Sequence, residues 1–389
     1  MTSSGARFVV CVLAVTAAAQ LGCGETSRDS GAGAGGAELG RGGTSGGESG
    51  SSLVRGGETS DGDQAGRASI SGGRPACDGF CLLGSIRLVE LASDPVVDDA
   101  RPAVDDARDA LYMQNLRLDA SRPEALKWEA IPASNVVAVN PRTGRYASAK
   151  TGDGESTLLI YNRNDTLYDT QVMPGRVWGA SVDPLTGHFF VTTRDENDLV
   201  VYDEASRSVI ATQSLDEAGA QVAPFAPVFD ASTGNVFVSR YFLSGQVASV
   251  YRALIFDSSY ERIGAIEGNV LAADGAHDLY VSADHEYGPA RLEIRDSRDL
   301  SLSAAQLDTD AYWVSPDLVS QRLHVQQLER VVTLDRTTGE VVAELPIGAD
   351  TLLDGIVSAP GDDRVYARVF NFSETRSYFF QSVLVFGTR

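Results

Sequence analysis

The sequence predicts an all-β fold of seven four-stranded antiparallel sheets arranged around an axis, with an N-terminal strand completing the last sheet. Three observations lead there. A short pattern recurs: "VDDARDALYM" (104–113), "VNPRTGRYASA" (139–149), "VDPLTGHFFVTT" (182–193), "FDASTGNVFVS" (229–239), "AADGAHDLYVS" (272–282), "VSPDLVSQRLHVQ" (314–326) and "VSAPGDDRVYA" (357–367). Taken from the residue after the leading apolar one, the copies begin at 105, 140, 183, 230, 273, 315 and 358, a period near 42 that marks a repeat architecture. Each copy also reads as strand, tight turn, strand, and a second apolar run and a further turn follow it. Finally, runs such as "HFFV", "LVVY" and "TLLIY" are nearly continuous rather than alternating, which requires burial on both faces. Four-stranded sheets covered on both faces and repeated seven times describe the blades of a β-propeller.

The elements follow in chain order. Residues 1–22 read as a signal peptide: Arg7 supplies the positive start and Phe8–Ala19 is an apolar stretch too short to span a bilayer. Residues 24–76 read as a tether. Residues 24–73 hold 17 Gly and 12 Ser or Thr, too few apolar groups to offset ordering entropy. A flexible chain of that length spans about 40 Å. Residues 77–389 form the propeller. Cys77 and Cys81 stand at its start, where a local disulfide is expected in an oxidising compartment, with a redox or metal pair as the alternative. "SIRLVEL" (Ser85–Leu91) precedes the first repeat, and the chain ends just after the third strand of the seventh blade. That strand is therefore expected to pair beside Ser382–Gly387 and close the ring. Within each blade the turn chemistry is explicit. In "DPLTG", Asp183 can cap the turn, Pro184 presets φ, and Gly187 supplies the left-handed residue that closes the hairpin. Third strands follow as "TLLIYN" (157–162), "DLVVYD" (198–203), "ALIFD" (253–257), "RLEIRD" (291–296), "VVTLD" (331–335) and "SVLVFG" (382–387).

Two resemblances bear on placement and family. "QLGC" (20–23) resembles a bacterial lipoprotein lipobox, which implies acylation of Cys23, a membrane contact through that lipid, and an exported protein of the cell envelope, outer membrane or cell surface. Leu21 lies two residues before the Cys rather than the family's three, and ordinary secretory cleavage is the alternative. "VDPLTGHFFV", "VVYDEASRSVIAT" and "VVTLDRTTGEVVAELPIG" resemble the YVTN-type seven-bladed propellers of bacteria over about residues 84–389. That family's fold serves binding, scaffolding and some lactone hydrolysis, so the fold by itself assigns no activity.

Composition removes some function classes. The formal charge is −21, and such a surface repels phosphate backbones and anionic headgroups, so nucleic acid is not expected as a partner. His188, His277, His285 and His324 fall in different blades or loops without ligand spacing, and no metal or other cofactor is expected. The acidic stretches at 98–106 and 151–156 lack the EF-hand pattern and read as solvated turns. No G-x-S-x-G or Cys–His pairing is present, and no catalytic residue is assigned.

Candidate binding residues come from where the repeat breaks. In this meander the first and third turns of each blade share one face, here the tight-turn face. The loops between second and third strands, and between blades, share the other, the loop face. On the loop face, "SRYFLSGQVASVYR" (239–252) offers Arg240 and Tyr241, and "RVFNFSETRSYFFQ" (368–381) offers Tyr378; Tyr and Arg are frequent anchors of binding sites. The starts of the inner strands place Arg176, Trp178, Phe225, Asp310, Tyr312 and Asp354 near the channel mouth. His188 has no counterpart in the other copies and is expected on the tight-turn face. The expectation is a monomeric, non-catalytic propeller tethered to the envelope that binds an envelope protein, peptide or carbohydrate. The alternative is a lactonase-like hydrolase working at the channel mouth.

Overall fold

The computed structural model describes residues 80–87, 103–105, 110–113, 116–119, 127–133, 135–151, 155–216, 221–243, 250–283, 291–303, 311–327, 329–347, 351–359, 364–371 and 380–388, all within one compact unit, Ala65–Arg389. The expected signal peptide and tether, with Cys23 and Cys77, lie outside the described residues. Every described sheet is antiparallel, and together they form the seven blades of a propeller. The inner strands are Ala103–Asp105, Val136–Val139, Val177–Asp183, Gln221–Asp230 (interrupted at 225–227), Asn269–Ala273, Trp313–Asp317 and Thr351–Ala359, in blades 1 to 7. Each inner strand touches the next, and the seventh touches the first, so the ring is closed.

Closure runs through the N-terminal strand, as expected, with different limits. Phe80–Arg87 pairs antiparallel with Phe380–Thr388 in the register Ser85↔Leu384, Ile86↔Val383 and Arg87↔Ser382. The strand thus begins five residues before Ser85, and Leu88–Leu91 lies outside the described residues. Blade 5 shows three strands among the described residues, and its fourth position is marked by a bridge between Leu302 and Arg295.

Register corrects the repeat boundaries in the last three copies. The pair that closes the first hairpin is Asp183↔His188 in blade 3, Asp230↔Asn235 in blade 4, Asp317↔Arg322 in blade 6 and Ala359↔Arg364 in blade 7. In blade 5 the amide of Asp274 donates to Asp278 O (3.1 Å). The equivalent positions are therefore 274, 317 and 359 rather than 273, 315 and 358. The leading apolar residue misled the alignment, because the strand ends where an Asx side chain can cap, and Asp317 rather than Ser315 does so.

That cap is the local rule of the fold. Asp183 accepts the amide of Leu185 (2.8 Å) and the hydroxyl of Thr186 (2.7 Å), and Asp230 repeats this with Ser232 (3.0 Å) and Thr233 (2.7 Å). Asp317 uses Val319 (2.9 Å) and Ser320 (2.6 Å). A carboxylate buried against its own turn meets donors that would otherwise go unsatisfied. Gly187, at φ 81°, closes the turn as expected, whereas blade 6 places Gln321 there at φ 56°.

The core is a series of layers between blades. Phe189, Val191, Val200 and Tyr202 pack on Ala147, Leu158 and Ile160 of blade 2, while Phe190, Leu199 and Val201 pack on Val236, Val238 and Leu254 of blade 4. Successive residues of one strand therefore serve opposite layers, which explains the continuous apolar run. Each such side chain contributes roughly 1.5–3 kcal/mol by leaving water.

On the tight-turn face, the second hairpin of each of blades 2 to 6 reaches back to the preceding blade. Asp165 takes Arg117 (2.8 Å), and Glu204 takes Arg145 (3.3 Å) and Thr143 (3.5 Å). Tyr260 meets His188 through its hydroxyl, Ser297 meets Ser232 (3.3 Å), and Arg336 meets Asp274 and Asp278 (2.7 Å to the latter). His188 thus lies on the expected face, as half of one of these clasps. The clasps share a position but not a chemistry, so the sequence pattern does not display them.

Candidate functional site

The site begins with an irregularity shared by the inner strands. Register shifts fall between Val136 and Ala138, Val177 and Gly179, Val270 and Ala272, and Leu353 and Ile356. A bulge takes backbone groups out of the ladder, and in a buried strand they need other partners. Neighbouring blades supply them. Ser156 accepts the amide of Val177 (3.0 Å), Thr192 donates to Phe225 O (3.0 Å), and Ser239 accepts the amide of Val270 (2.8 Å). Gln326 donates to Leu353 O (2.9 Å) and accepts from the Gly355 amide (3.1 Å). These polar side chains, all buried, hold the inner strands in place around the channel.

The inner strands of blades 3 and 4 approach closely. A Cβ on Gly179 would lie 2.4 Å from the Cβ of Ala226 and 2.7 Å from its Cα. This contact joins the inner strand of blade 3 to that of blade 4 and forms the seam between them. Trp178 is the extra residue of the blade 3 bulge. The guanidinium of Arg194 lies over its ring, 4.7 Å from the centroid. Two residues earlier, Arg176 forms a two-pronged ion pair with Asp195 (Nε to Oδ2 3.0 Å, Nη2 to Oδ1 2.9 Å). The Arg194 amide donates to the Arg176 carbonyl (2.9 Å), which locks the loop 194–197 to the start of the inner strand. The Arg176 guanidinium holds the Asp195 carboxyl below its ordinary range, against partial burial.

Across the seam, Phe225 faces Tyr251 at 5.9 Å between ring centroids, and Tyr251 faces Tyr241 at 5.6 Å, separations at which aromatic pairs attract beyond simple burial. Tyr241 and Tyr251 are direct cross-strand partners. Arg252, next in the strand, pairs with the exposed Glu267 (3.4 Å).

Of the residues expected at the site, the structure brings Arg176, Trp178, Phe225 and Tyr241 to the loop-face end of blades 3 and 4. Arg240 is fully buried and faces blade 3, where its Nη1 donates to Leu215 O (2.5 Å); it is a tie between blades rather than a surface anchor. Tyr241 is also buried, and the half-exposed Tyr251 is the outer member of that stack. Tyr312 belongs to blade 6, where its amide donates to Gln326 O (3.0 Å), away from this cluster. Asp310 and Tyr378 lie outside the described residues, as do the side chains of Asp354 and Cys81. Sequence reasoning missed Arg194 and Asp195. Their signal was the charged loop "RDEND" (194–198) directly after the strand "HFFVTT" (188–193).

No protein-family model matches the chain, and no curated protein does. Among solved structures the chain is similar to hydrazine synthase from Kuenenia stuttgartiensis, with a TM-score of 0.54 and 12% identity over 76% of this chain and 97% of that one. It is also similar to the Cps50 (Swd1) β-propeller domain of Myceliophteria thermophila, with a TM-score of 0.51 and 12% identity over 78% of this chain and all of that one. At such identity the likeness concerns the fold alone: the chain is a seven-bladed β-propeller.

Proposed function

We propose that this chain is a binding propeller of the YVTN type, held at the cell envelope by a lipid on Cys23. In this reading, the loop-face end of blades 3 and 4 receives an envelope protein, a peptide or a carbohydrate. The observation that carries the reading is the stack of Phe225, Tyr251 and Tyr241 in blade 4, at the same loop-face end of the strands as the Arg176–Asp195 pair of blade 3. Aromatic and arginine side chains set on rigid strands are efficient anchors, because little rotamer freedom is lost on binding. The carboxylate at this edge is tied to Arg176 and held low, which suits recognition better than proton transfer near neutral pH.

The test is capture from envelope extract with the full chain, the Phe225→Ala chain and the Tyr251→Ala chain as baits. Both variants are expected to melt near wild type and to lose at least about tenfold in recovery, the effect of a lost anchor of roughly 1.4 kcal/mol or more. Equal recovery by all three baits would refute the site. Labelling with a radioactive fatty acid tests the anchor: Cys23→Ala is expected to abolish incorporation.

A further inference from the structure

We propose that the tight-turn face of this propeller rests on a lipid surface with neutral headgroups, into which its exposed apolar side chains dip. The inference rests on the envelope reading and adds which face of the ring meets the membrane.

The observation is where the apolar surface lies. Eleven large apolar side chains stand exposed among the described residues, and ten of them lie at the tight-turn end of their blades, Val172 being the exception. Leu185 and Val319, each 69% exposed, sit in the first hairpins of blades 3 and 6. Ile210, Ile263 and Val342 lie near the starts of the outer strands Ser208–Ser214, Arg262–Glu267 and Val341–Pro346 of blades 3, 4 and 6. Each of the three is the residue that a bulge leaves without a cross-strand partner, and bulges re-aim side chains. The exposed residues toward the other ends of these same strands are polar: Thr212 and Ser214, Glu267, and Glu344. The asymmetry runs along single strands, which a random scatter of exposed apolar residues would not produce.

The path of the chain leads to the same face. Inner and third strands run from the loop face to the tight turns, and fourth strands return. Phe80–Arg87 is the fourth strand of blade 7, and Phe80 pairs with Thr388 at the tight-turn end. The segment that follows Cys23 therefore enters the ring at its tight-turn face, on the outermost strand of a blade.

The surroundings select lipid over protein. The core of a protein interface is depleted of charge, whereas here Arg262 directly precedes Ile263 and Glu340 directly precedes Val341, all four exposed. A bilayer interface admits that mixture, because apolar side chains enter the acyl boundary while charged ends stay among the headgroups. The formal charge of −21 disfavours anionic lipid, so zwitterionic headgroups fit best.

The experiment adds phosphatidylcholine vesicles to the full chain and follows amide hydrogen exchange. Exchange across 183–188, 203–210 and 317–322 is expected to slow at least about threefold as local opening becomes rarer, while 194–197 on the loop face keeps its rate. Vesicles that also contain phosphatidylglycerol are expected to protect less. A chain carrying Leu185→Ser, Ile263→Ser and Val319→Ser is expected to melt like wild type, since all three side chains are exposed, and to lose the slowing.

No slowing, equal slowing on both faces, slowing that survives in the triple variant, or stronger protection by phosphatidylglycerol would overturn the proposal. So would slowing that rises with protein concentration in the absence of vesicles, the mark of a second copy on this face. If Cys23 takes no fatty acid but vesicles protect the tight turns, the anchor fails and this proposal stands. If Cys23 is labelled while the tight turns exchange as they do without vesicles, this proposal fails and the anchor stands.

Discussion

The contact between Gly179 and Ala226 makes a sharp test of the ring. Gly179→Ala places a methyl 2.4 Å from the Ala226 Cβ, 2.7 Å from its Cα and 3.2 Å from its amide nitrogen. Two of these atoms are backbone, so no rotamer change relieves them, and two inner strands must move apart. Overpacking of this kind costs about 1–3 kcal/mol. The loss of glycine's unfolded-state freedom returns roughly 0.5–1 kcal/mol, since Gly179 does not need a left-handed backbone. The net is a loss of about 1 kcal/mol. Thermal melting followed by circular dichroism should show a fall of about 2–5 °C, at the 2–4 °C per kcal/mol usual for large domains. Ala226→Gly removes the worst clash but leaves the backbone ones. The double variant should therefore recover about half the loss, a coupling of at least about 0.5 kcal/mol, within the range expected of touching residues. Gly179→Ala melting like wild type, or a double variant that merely adds the two single effects, would refute this account of the seam.

Three further outcomes follow from buried charge and from the caps. Arg336→Ala strands Asp274, whose side chain is fully buried, together with Asp278; it should cost about 3 kcal/mol in urea titration, and Arg336→Lys should not restore the loss, because the bond to the Tyr280 hydroxyl goes with the planar fork. Burial pushes the Asp230 carboxyl up, but hydrogen bonds from Thr233, Ser297 and Ser232 outweigh it and hold it below the ordinary range. A lowered folded value stabilises above the unfolded pKa of about 3.9 and stops doing so as pH falls through the folded one, so urea midpoints at about pH 7 and pH 3 should differ less in Asp230→Asn than in wild type. Asp183→Ala frees the Leu185 amide and the Thr186 hydroxyl and should cost about 1–3 kcal/mol, with exchange of the Leu185 amide speeding first.

Much of the architecture is legible in the chain because its causes are local. The Asp-x-x-Thr-Gly hairpin, the strand lengths and the doubly buried runs all act over fewer than a dozen residues, and their repetition reports the blade count. The closing strand was legible too, since a ring with three strands in its last blade needs a fourth from the other end. The register in blades 5 to 7 was not, because a cap at Asp317 or Asp274 is identified by what it bonds, and Ser315 or Ala273 is as plausible from spacing alone. The candidate site divides along the same line. Phe225, Arg176 and Trp178 stand out as residues where the repeat breaks. That Arg240 turns inward to Leu215 and that Trp178 Nε1 meets no acceptor among the described residues are facts of packing between blades, while that Tyr251 rather than Tyr241 is the outer ring is a fact of burial within one hairpin. Arg240 and Leu215 are 25 positions apart in the chain, and only the stacking of blade 4 on blade 3 puts them in contact. Local hydrogen bonding and hydrophobic period thus determine what each blade is, while the close approach of neighbouring blades decides which side chains are left to meet a ligand.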